Sequence, residues 1–453
     1  MEYNLTPNEI LIEIEKIRKT KHLPKDEKIK GLSKFEIDSL PEIPKEWKWV
    51  IINDISEFIT NGVHTPTSIK DENGHGLHCL RITDLKDNEN IDYNSLPYCL
   101  RVVEGDYNKK LKKNDIYFSF TGNNLGKRYI VKENREDTVF AHYFVRWHPI
   151  IVNPYYIYYI TYSKIYDYFI AANKHGSTQP NLKVVDLKRF PIPLCDLKTQ
   201  YKIAKILKKI DDKIYLNNQI NDNLYKVLNT IFREYFCNKQ EDENFEKIQL
   251  KDLISIRGGL AYKASLLSDN IDDNILVSMG NVELNRIFNF NNLKHYLENV
   301  ENKYVGQIGD LFICTRDVTQ KRNQLGCPGI IPKIFKGKNV IIGTNLYIVN
   351  ILNNNKNIKY FLYLLMNSNE YRERIVGSAK GTAILMIAKD DILKFEFCFP
   401  RDKKVIDVFN NKVIPIFEKI ESIIIENDRL SSLRDTLLPK LMNGEIDLDK
   451  IEI

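Results

Sequence analysis

The sequence predicts an α+β protein: two tandem α/β domains separated by two long antiparallel coiled-coil helices, with a pseudo-twofold internal repeat. Three observations lead there. The chain writes one sentence twice, as "KHGSTQPNLKVVDLKRFPIPL" (174–194) and "SAKGTAILMIAKDDILKFEFCF" (378–399). Gly176 and Gly381, Asp186 and Asp391, and Phe190 and Phe395 each lie 205 positions apart. After each copy comes a run whose seam steps by four and three, the heptad rule of a coiled coil. Before each copy, strand-like and helix-like stretches alternate in the same order.

Composition allows this architecture. At 453 residues the chain can build two or three cores, and 43% hydrophobic with 11% aromatic content suits a globular protein. The net charge of +6, from 66 basic and 60 acidic side chains, is too mild to mark a nucleic-acid binder alone. Cys79, Cys99, Cys195, Cys237, Cys314, Cys327 and Cys398 are scattered, without a Cys-x-x-Cys pair. That pattern argues against both a disulfide framework and a zinc site. The start, "MEYNLTPNEILIEIEKIRK", is charged throughout, unlike a signal peptide, and no apolar stretch has membrane-spanning length. The expectation is a soluble, cytoplasmic protein with no membrane partner.

The first 39 residues stand outside the duplication, and an N-terminal helical segment and linker are expected over 1–46. "PNEILIEIEKIRKTKHL" reads as an amphipathic helix followed by a charged linker. It either packs beside the C-terminal helix or contacts another subunit. The first domain is expected at 47–195 and the second at 247–400. "WVIINDISEFITNG" (49–62) resembles "KIQLKDLISIRGG" (247–259), each with an Asp before alternating apolar residues and a terminal glycine. "LRITDL" (80–85) matches "VSMGNV" (277–282), and "KNDIYFSFTG" (113–122) parallels "IGDLFICTRD" (308–317), a polar turn and an Asp before a short strand. "YYIYYITYS" (155–163) and "KYFLYLLMNS" (359–368) are aromatic-rich and read as helices. The spacing between copies drifts, as expected if surface loops differ in length.

The spacer helices are expected within 196–246 and 401–453. The first seam runs Ile203, Leu207, Ile210, Ile214, Asn217, Asn221, Leu224, Leu228, Ile231, Tyr235. The second runs Phe409, Val413, Ile416, Ile420, Ile423, Asn427, Leu430, Arg434, Leu437, Leu441. Asn221 and Asn427 occupy the same seam position, where an Asn costs stability but fixes register. The first helix should be about 58 Å long.

Catalytic motifs fail on inspection. "NPYY" (153–156) lacks the second proline of an amino-methyltransferase signature, and no glycine-rich turn precedes it to hold S-adenosylmethionine. It reads instead as a turn before the aromatic helix. "GNNLGKR" (122–128) is one residue short of a phosphate loop and has Arg128 where a Mg²⁺-binding hydroxyl is required. The histidines, "HGLH" (75–78) included, show no metal-ligand spacing.

The whole chain resembles the specificity subunits of type I restriction–modification systems. "LPEIPKEWKWVIINDI" (40–55) resembles the family's entry into its first target-recognition domain. "GSTQPNLKVVDLKRFPIPL" with "DLKTQYKIAKILKKIDDKI" resembles its exit into the central helix, and "LRDTLLPKLMNGEID" (433–447) its closing helix. The second exit lacks the Gln, and Cys195 replaces a usual proline. The resemblance implies a non-catalytic subunit whose two recognition domains read an asymmetric, bipartite site in double-stranded DNA. Its helices would dock two copies of a methylation subunit, with a restriction subunit in the full complex. No cofactor is expected in this chain; S-adenosylmethionine, ATP and Mg²⁺ belong to the partners. A coiled-coil scaffold joining two protein-binding domains, or a self-contained methyltransferase, are the alternatives.

DNA contacts need Lys, Arg and small polar donors on loops. Three loop sets recur. In the first half they are Arg81 and Thr83; Thr121, Asn123, Asn124, Lys127 and Arg128; and Lys174, His175, Ser177, Thr178 and Gln179. In the second they are Ser278 and Asn281; Thr315, Arg316, Thr319, Lys321 and Arg322; and Lys380 and Thr382. This assignment follows from chemistry and repeat position, because the family's recognition domains vary too much to transfer base contacts.

Overall fold

Backbone pairing in the computed structural model follows the duplication strand by strand. The structure describes residues 4–23, 26–71, 74, 76–85, 91–176, 180–268, 274–290, 293–317, 323–381 and 384–450. The chain divides into two compact units, Met1–Tyr215 with Arg429–Ile453, and Leu216–Asp428.

In the first unit a four-stranded sheet has the order Ser56–Asn61, Phe144–Pro149, Ile116–Ser119, Arg128–Ile130. A five-stranded sheet has the order Thr67–Ser68, Tyr98–Cys99, His78–Leu80, Arg135–Phe140, Lys110–Leu111. His78–Leu80 and Arg135–Phe140 run parallel. The second unit repeats both orders. Its four strands are Ile254–Gly258, Leu346–Ile351, Leu311–Cys314 and Pro328–Ile330. Its five are Leu267–Ser268, Lys294–Tyr296, Asn274–Val277, Asn339–Ile342 and Val305–Gly306, with Asn274–Val277 and Asn339–Ile342 parallel. The strands at the heart of each unit, such as Ile116–Ser119 and Leu311–Cys314, are buried along their whole length. That is why they read as short apolar runs rather than alternating ones.

The duplicated sentence closes each unit on its own first strand. Gly176 and Gly381 have φ of 81° and 112°, a conformation costly for any residue with a Cβ. Asp186 and Asp391 lie in the short helices Val184–Leu187 and Lys389–Leu393. Phe190 and Phe395 are buried, and their carbonyls accept from the Ile52 and Leu250 N–H groups, both at 3.0 Å. The strands that follow, Pro191–Leu194 and Glu396–Pro400, pair antiparallel with Lys48–Ile51 and Phe245–Gln249. A two-stranded ribbon tolerates Pro191 and Pro193, because each strand has a free edge. Asn153 of "NPYY" caps the helix Pro154–Ile160: its Oδ1 accepts from the Tyr155 and Tyr156 N–H groups at 3.0 and 3.1 Å.

Each unit also contains a sheet switch. The strand Ser56–Asn61 leaves the four-stranded sheet through Gly62, beside the 141–143 turn, which enters that sheet from the other one. Val63 N–H donates to Phe140 O at 2.8 Å, Gly62 N–H to Phe144 O at 3.3 Å and Ala141 N–H to Leu80 O at 2.9 Å. In the second unit the same bonds are Leu260 to Ile342 at 2.8 Å, Gly259 to Leu346 at 3.0 Å and Gly343 to Val277 at 2.8 Å. A Cβ on Gly62 would lie 2.2 Å from Phe140 O, and one on Gly259 2.1 Å from Gly343 O. The terminal glycine of each opening stretch is therefore required by close backbone approach.

The long helices are Leu197–Phe236, 40 residues, and Lys404–Met442, 39 residues. They run antiparallel within each unit. In the first, Ile203 and Leu207 share a hydrophobic cluster with Leu438, Leu441 and Met442, and Arg434 reaches Asp211 at 3.0 Å. In the second, Phe232 and Phe236 pack on Phe409 with ring centroids 6.4 and 4.9 Å apart. Arg434 holds an apolar seam position by pairing with Asp211 and Asp435 and lying 5.9 Å over the Tyr162 ring. The seam asparagines have different surroundings. Asn427 accepts from Asn217 Nδ2 at 2.8 Å and donates to Asn218 Oδ1 at 2.9 Å, while Asn217 Nδ2 also reaches Glu426 at 2.9 Å. Asn221, one turn further on, is buried, and its Oδ1 has no hydrogen-bond partner among the described residues.

The N-terminal helix Pro7–Lys21 begins in a Thr6–Glu9 capping box and joins the first unit's core. Ile10 and Ile14 belong to the same buried cluster as Leu438 and Leu441 of the C-terminal helix. Arg18 donates to the Asn53 and Ser56 carbonyls at 2.8 and 2.7 Å. The linker is tied down by Asp26–Lys188 and Glu36–Arg189, both at 2.7 Å.

Two predictions follow from these contacts. Gly259→Ala should destabilise the chain by about 3 kcal/mol, since an added methyl must displace backbone. Gly258→Ala, where a Cβ meets open space, should leave the denaturation midpoint nearly unchanged. Asn427→Ala should cost about 1–3 kcal/mol, by removing an acceptor from the buried Asn217 amide and a donor from the half-buried Asn218 amide. Replacing Asn217 and Asn427 together by Leu should restore or exceed wild-type stability in the same urea titration.

Candidate nucleic-acid interface

The expected loop sets are linked in a row by backbone hydrogen bonds. In the first unit the row starts where His78–Leu80 ends: Leu80 O accepts from Ala141, and Arg81 begins the next loop. Tyr143 O then accepts from Phe120 N–H at 3.4 Å, and Phe120 O from Leu182 N–H at 2.8 Å. Thr121 bridges to Asn181, which exchanges two 2.8 Å bonds with His175. The second unit repeats this order. Asn345 O accepts from Thr315 N–H at 2.9 Å and Thr315 O from Ile387 N–H at 3.1 Å. Arg316 pairs with Met386, which exchanges two 2.9 Å bonds with Lys380. So Thr121 corresponds to Arg316, His175 to Lys380 and Arg81 to Ser278.

Several of the expected residues build the loops themselves. Arg81 grips Asp84 with a fork, Nε–Oδ2 3.0 Å and Nη2–Oδ1 2.8 Å, and that carboxylate raises the guanidinium pKa. Asn281, fully buried, does the same work in the second unit. Its Oδ1 accepts from Ser278 N–H and Oγ–H at 2.9 and 3.2 Å, and its Nδ2 donates to Asn289 O at 3.0 Å. Thr315 is buried and donates to Asn345 O at 2.9 Å. Arg128 lies in a strand with its guanidinium 3.7 Å over the Tyr162 ring.

Other side chains stay open. Thr83, Lys127, Lys174 and Lys380 are exposed; Asn124 and Arg316 are half-buried. His175 is exposed, with Nε2 3.1 Å from Asp186. Asn123 lies in the turn Gly122–Asn124. Ser177, Thr178, Gln179, Thr319, Lys321, Arg322 and Thr382 lie outside the described residues, as does His75. At the neck of the 315–326 loop the Cys314 and Cys327 thiols donate to the carbonyls of Arg316 and Asn323 at 3.0 and 2.8 Å. Burial pushes these thiols up to about 12 and about 11, so they stay protonated. Among the described residues no group of three His, Cys, Asp or Glu could hold a metal ion, and no helix is long and apolar enough to cross a membrane.

Sequence reasoning missed one element of the row, the turn between the two sheets. In the first unit it carries His142 and Tyr143, with the exposed His64 against them. The His64 and His142 ring centroids are 4.2 Å apart, and those of His142 and Tyr143 3.7 Å. Burial, with His64 nearby, lowers the His142 pKa, so this imidazole is neutral at neutral pH. The matching turn in the second unit carries Thr344 and Asn345. The repeat could have exposed this element, but "AHYF" and "GTNL" share no residue.

The loop-building role is open to a direct check. Asn281→Ala should lower stability by about 1–3 kcal/mol in urea denaturation, because it removes the acceptor of the Ser278 N–H and a donor to Asn289 O. Thr83→Ala, at an exposed position, should stay within about 0.5 kcal/mol of wild type.

Comparison with known proteins agrees with this architecture. Residues 44–226 match the family described as type I restriction modification DNA specificity domain. The chain is 26% identical to the type I restriction enzyme HindI specificity subunit of Haemophilus influenzae, over 83% of this chain and 92% of that protein. It is 25% identical to the MjaIX specificity subunit of Methanocaldococcus jannaschii, over 94% of this chain and 99% of that protein. The crystal structure of the type I restriction–modification S subunit from M. genitalium shares the fold, with a TM-score of 0.50 at 15% identity over 89% of this chain and 97% of that one. Over most of its length the chain is thus similar to type I restriction enzyme specificity subunits, and its residues 44–226 match their DNA specificity domain.

Proposed function

We propose that this chain supplies DNA sequence specificity to a type I restriction–modification complex. Its recognition domains, residues 47–195 and 247–400, each read one half of a bipartite, asymmetric site in double-stranded DNA. One observation carries the reading: two loop rows share a hydrogen-bonded backbone yet present different side chains. A repeated platform with divergent tips suits two unlike half-sites. Lys127, Lys174, Arg316 and Lys380 supply charge for phosphates or guanine edges. The remaining surfaces of the long helices dock two copies of a methylation subunit, and a restriction subunit completes the assembly. S-adenosylmethionine, ATP and Mg²⁺ chemistry resides on those partners.

Replacing residues 247–400 with the equivalent block of a relative should change one half of the methylated motif and leave the other intact, read by methylome sequencing of cells carrying the partner subunits. Scrambling of both halves would overturn the modular reading. Binding should also weaken steeply as salt rises. Arg316→Ala should reduce specific binding by roughly 1–3 kcal/mol, and more than non-specific binding, if it reads a base.

A further inference from the structure

We propose that the turns 141–144 and 343–346, where the chain passes between the two sheets of each unit, are base-reading elements. The His64–His142–Tyr143 ring cluster serves the first half-site, and Thr344 with Asn345 serves the second. This inference rests on the DNA-specificity reading above and names where that specificity sits.

Position is the first argument. Each turn lies between two of the loop sets: it bonds to the end of one strand through Ala141–Leu80 or Gly343–Val277, and to the next loop through Tyr143–Phe120 or Asn345–Thr315. A duplex laid along the row meets the turn as well as its neighbours.

Rigidity is the second. The backbone is held by matching hydrogen bonds in both units and by the glycine crossing beneath it. Side chains on such a support can differ freely without moving the platform. They do differ. The first unit has His142 and Tyr143 where the second has Thr344 and Asn345, at positions matched by the same bonds.

Chemistry is the third. Tyr143 is 47% exposed and His64 is exposed, while the half-buried His142 ring lies between theirs. These are stiff rings with polar edges, able to stack on a sugar or base and to donate and accept hydrogen bonds. A neutral His142 both donates and accepts, which suits base edges better than a phosphate. Thr344 and Asn345 are half-buried, and both residue types pair with base edges in a groove. No packing demand accounts for a large exposed ring such as Tyr143 at a loop tip.

The test uses the full chain with its methylation partner. Two variants suffice: Tyr143→Ala, and His142→Thr combined with Tyr143→Asn. Bound duplexes are selected from a random-sequence library, and the methylated motif is read from cells. The expected result is a change of about tenfold in base preference at one or more positions of a single half-site. The other half-site should be unchanged, and affinity for non-specific DNA should stay within about twofold of wild type. Unchanged preference in both halves, from variants that melt like wild type, would overturn the inference while leaving the specificity reading intact. Equal weakening on all sequences would make the turn a phosphate contact and overturn it too. A wild-type complex with no sequence preference would instead overturn the specificity reading, and this inference with it. Tyr143→Ala removes only a half-exposed ring, so its fold is secure even if the double variant's is not.

Discussion

The structure depends on a close backbone crossing that occurs once in each unit. Gly62 and Gly259 pass so near the neighbouring chain that a Cβ would lie 2.2 or 2.1 Å from a carbonyl oxygen. At that point one strand leaves the four-stranded sheet as another enters it. Sheets that exchange strands need such corners, and only glycine lets two backbones approach so closely. The bonds around the crossing set the order of the strands in both sheets. They also fix where the loops emerge. Without the crossing the loop row would have no common base.

From that base a division of labour emerges among residues of one chemical type. Arg81 and Arg128 are both arginines on candidate loops, yet one is locked to Asp84 and the other lies on Tyr162. Asn281 is a fully buried strut. Lys127 and Thr83, in the same loops, face solvent. A recognition domain must hold its tips still to discriminate bases, so part of its polar inventory goes into bracing. The braces recur in kind between units: Asp84 accepts from the Arg81 N–H as Asn281 does from Ser278. The open side chains do not recur. The braces are constant between the units and the tips above them vary.

The long helices follow a different logic. Apolar residues close the seam toward each end, with Leu207 near Leu438 and Leu441 in one unit and Phe236 against Phe409 in the other. The middle is polar: Asn217, Asn218, Glu426 and Asn427 bond to one another. A polar stretch gives up hydrophobic stabilisation but penalises any slip that would break its bonds. Arg434, at an apolar seam position, is tolerated because Asp211, Asp435 and the Tyr162 ring surround its guanidinium.

The sequence by itself determined the tandem duplication, the two seam helices and the short buried strands, because periodicity and repetition are properties of a line of residues. The glycines, aspartates and phenylalanines of the duplicated sentence marked real closures, since a left-handed turn and a buried ring leave a residue-type signature. The asparagine partners were not legible. Which amide faces which depends on the rotation of one helix against the other, and Asn427 meets Asn217 and Asn218 while Asn221 lies a turn away. Nor could the sequence separate brace from tip, because Arg81 and Lys127 are alike until a partner such as Asp84 is placed beside one of them. The inter-sheet turns were invisible for a related reason. Their conformation is held by backbone hydrogen bonds to distant strands, so "AHYF" and "GTNL" can do the same structural work with no residue in common. Only the tertiary structure brought those strands together and decided which side chains stand free.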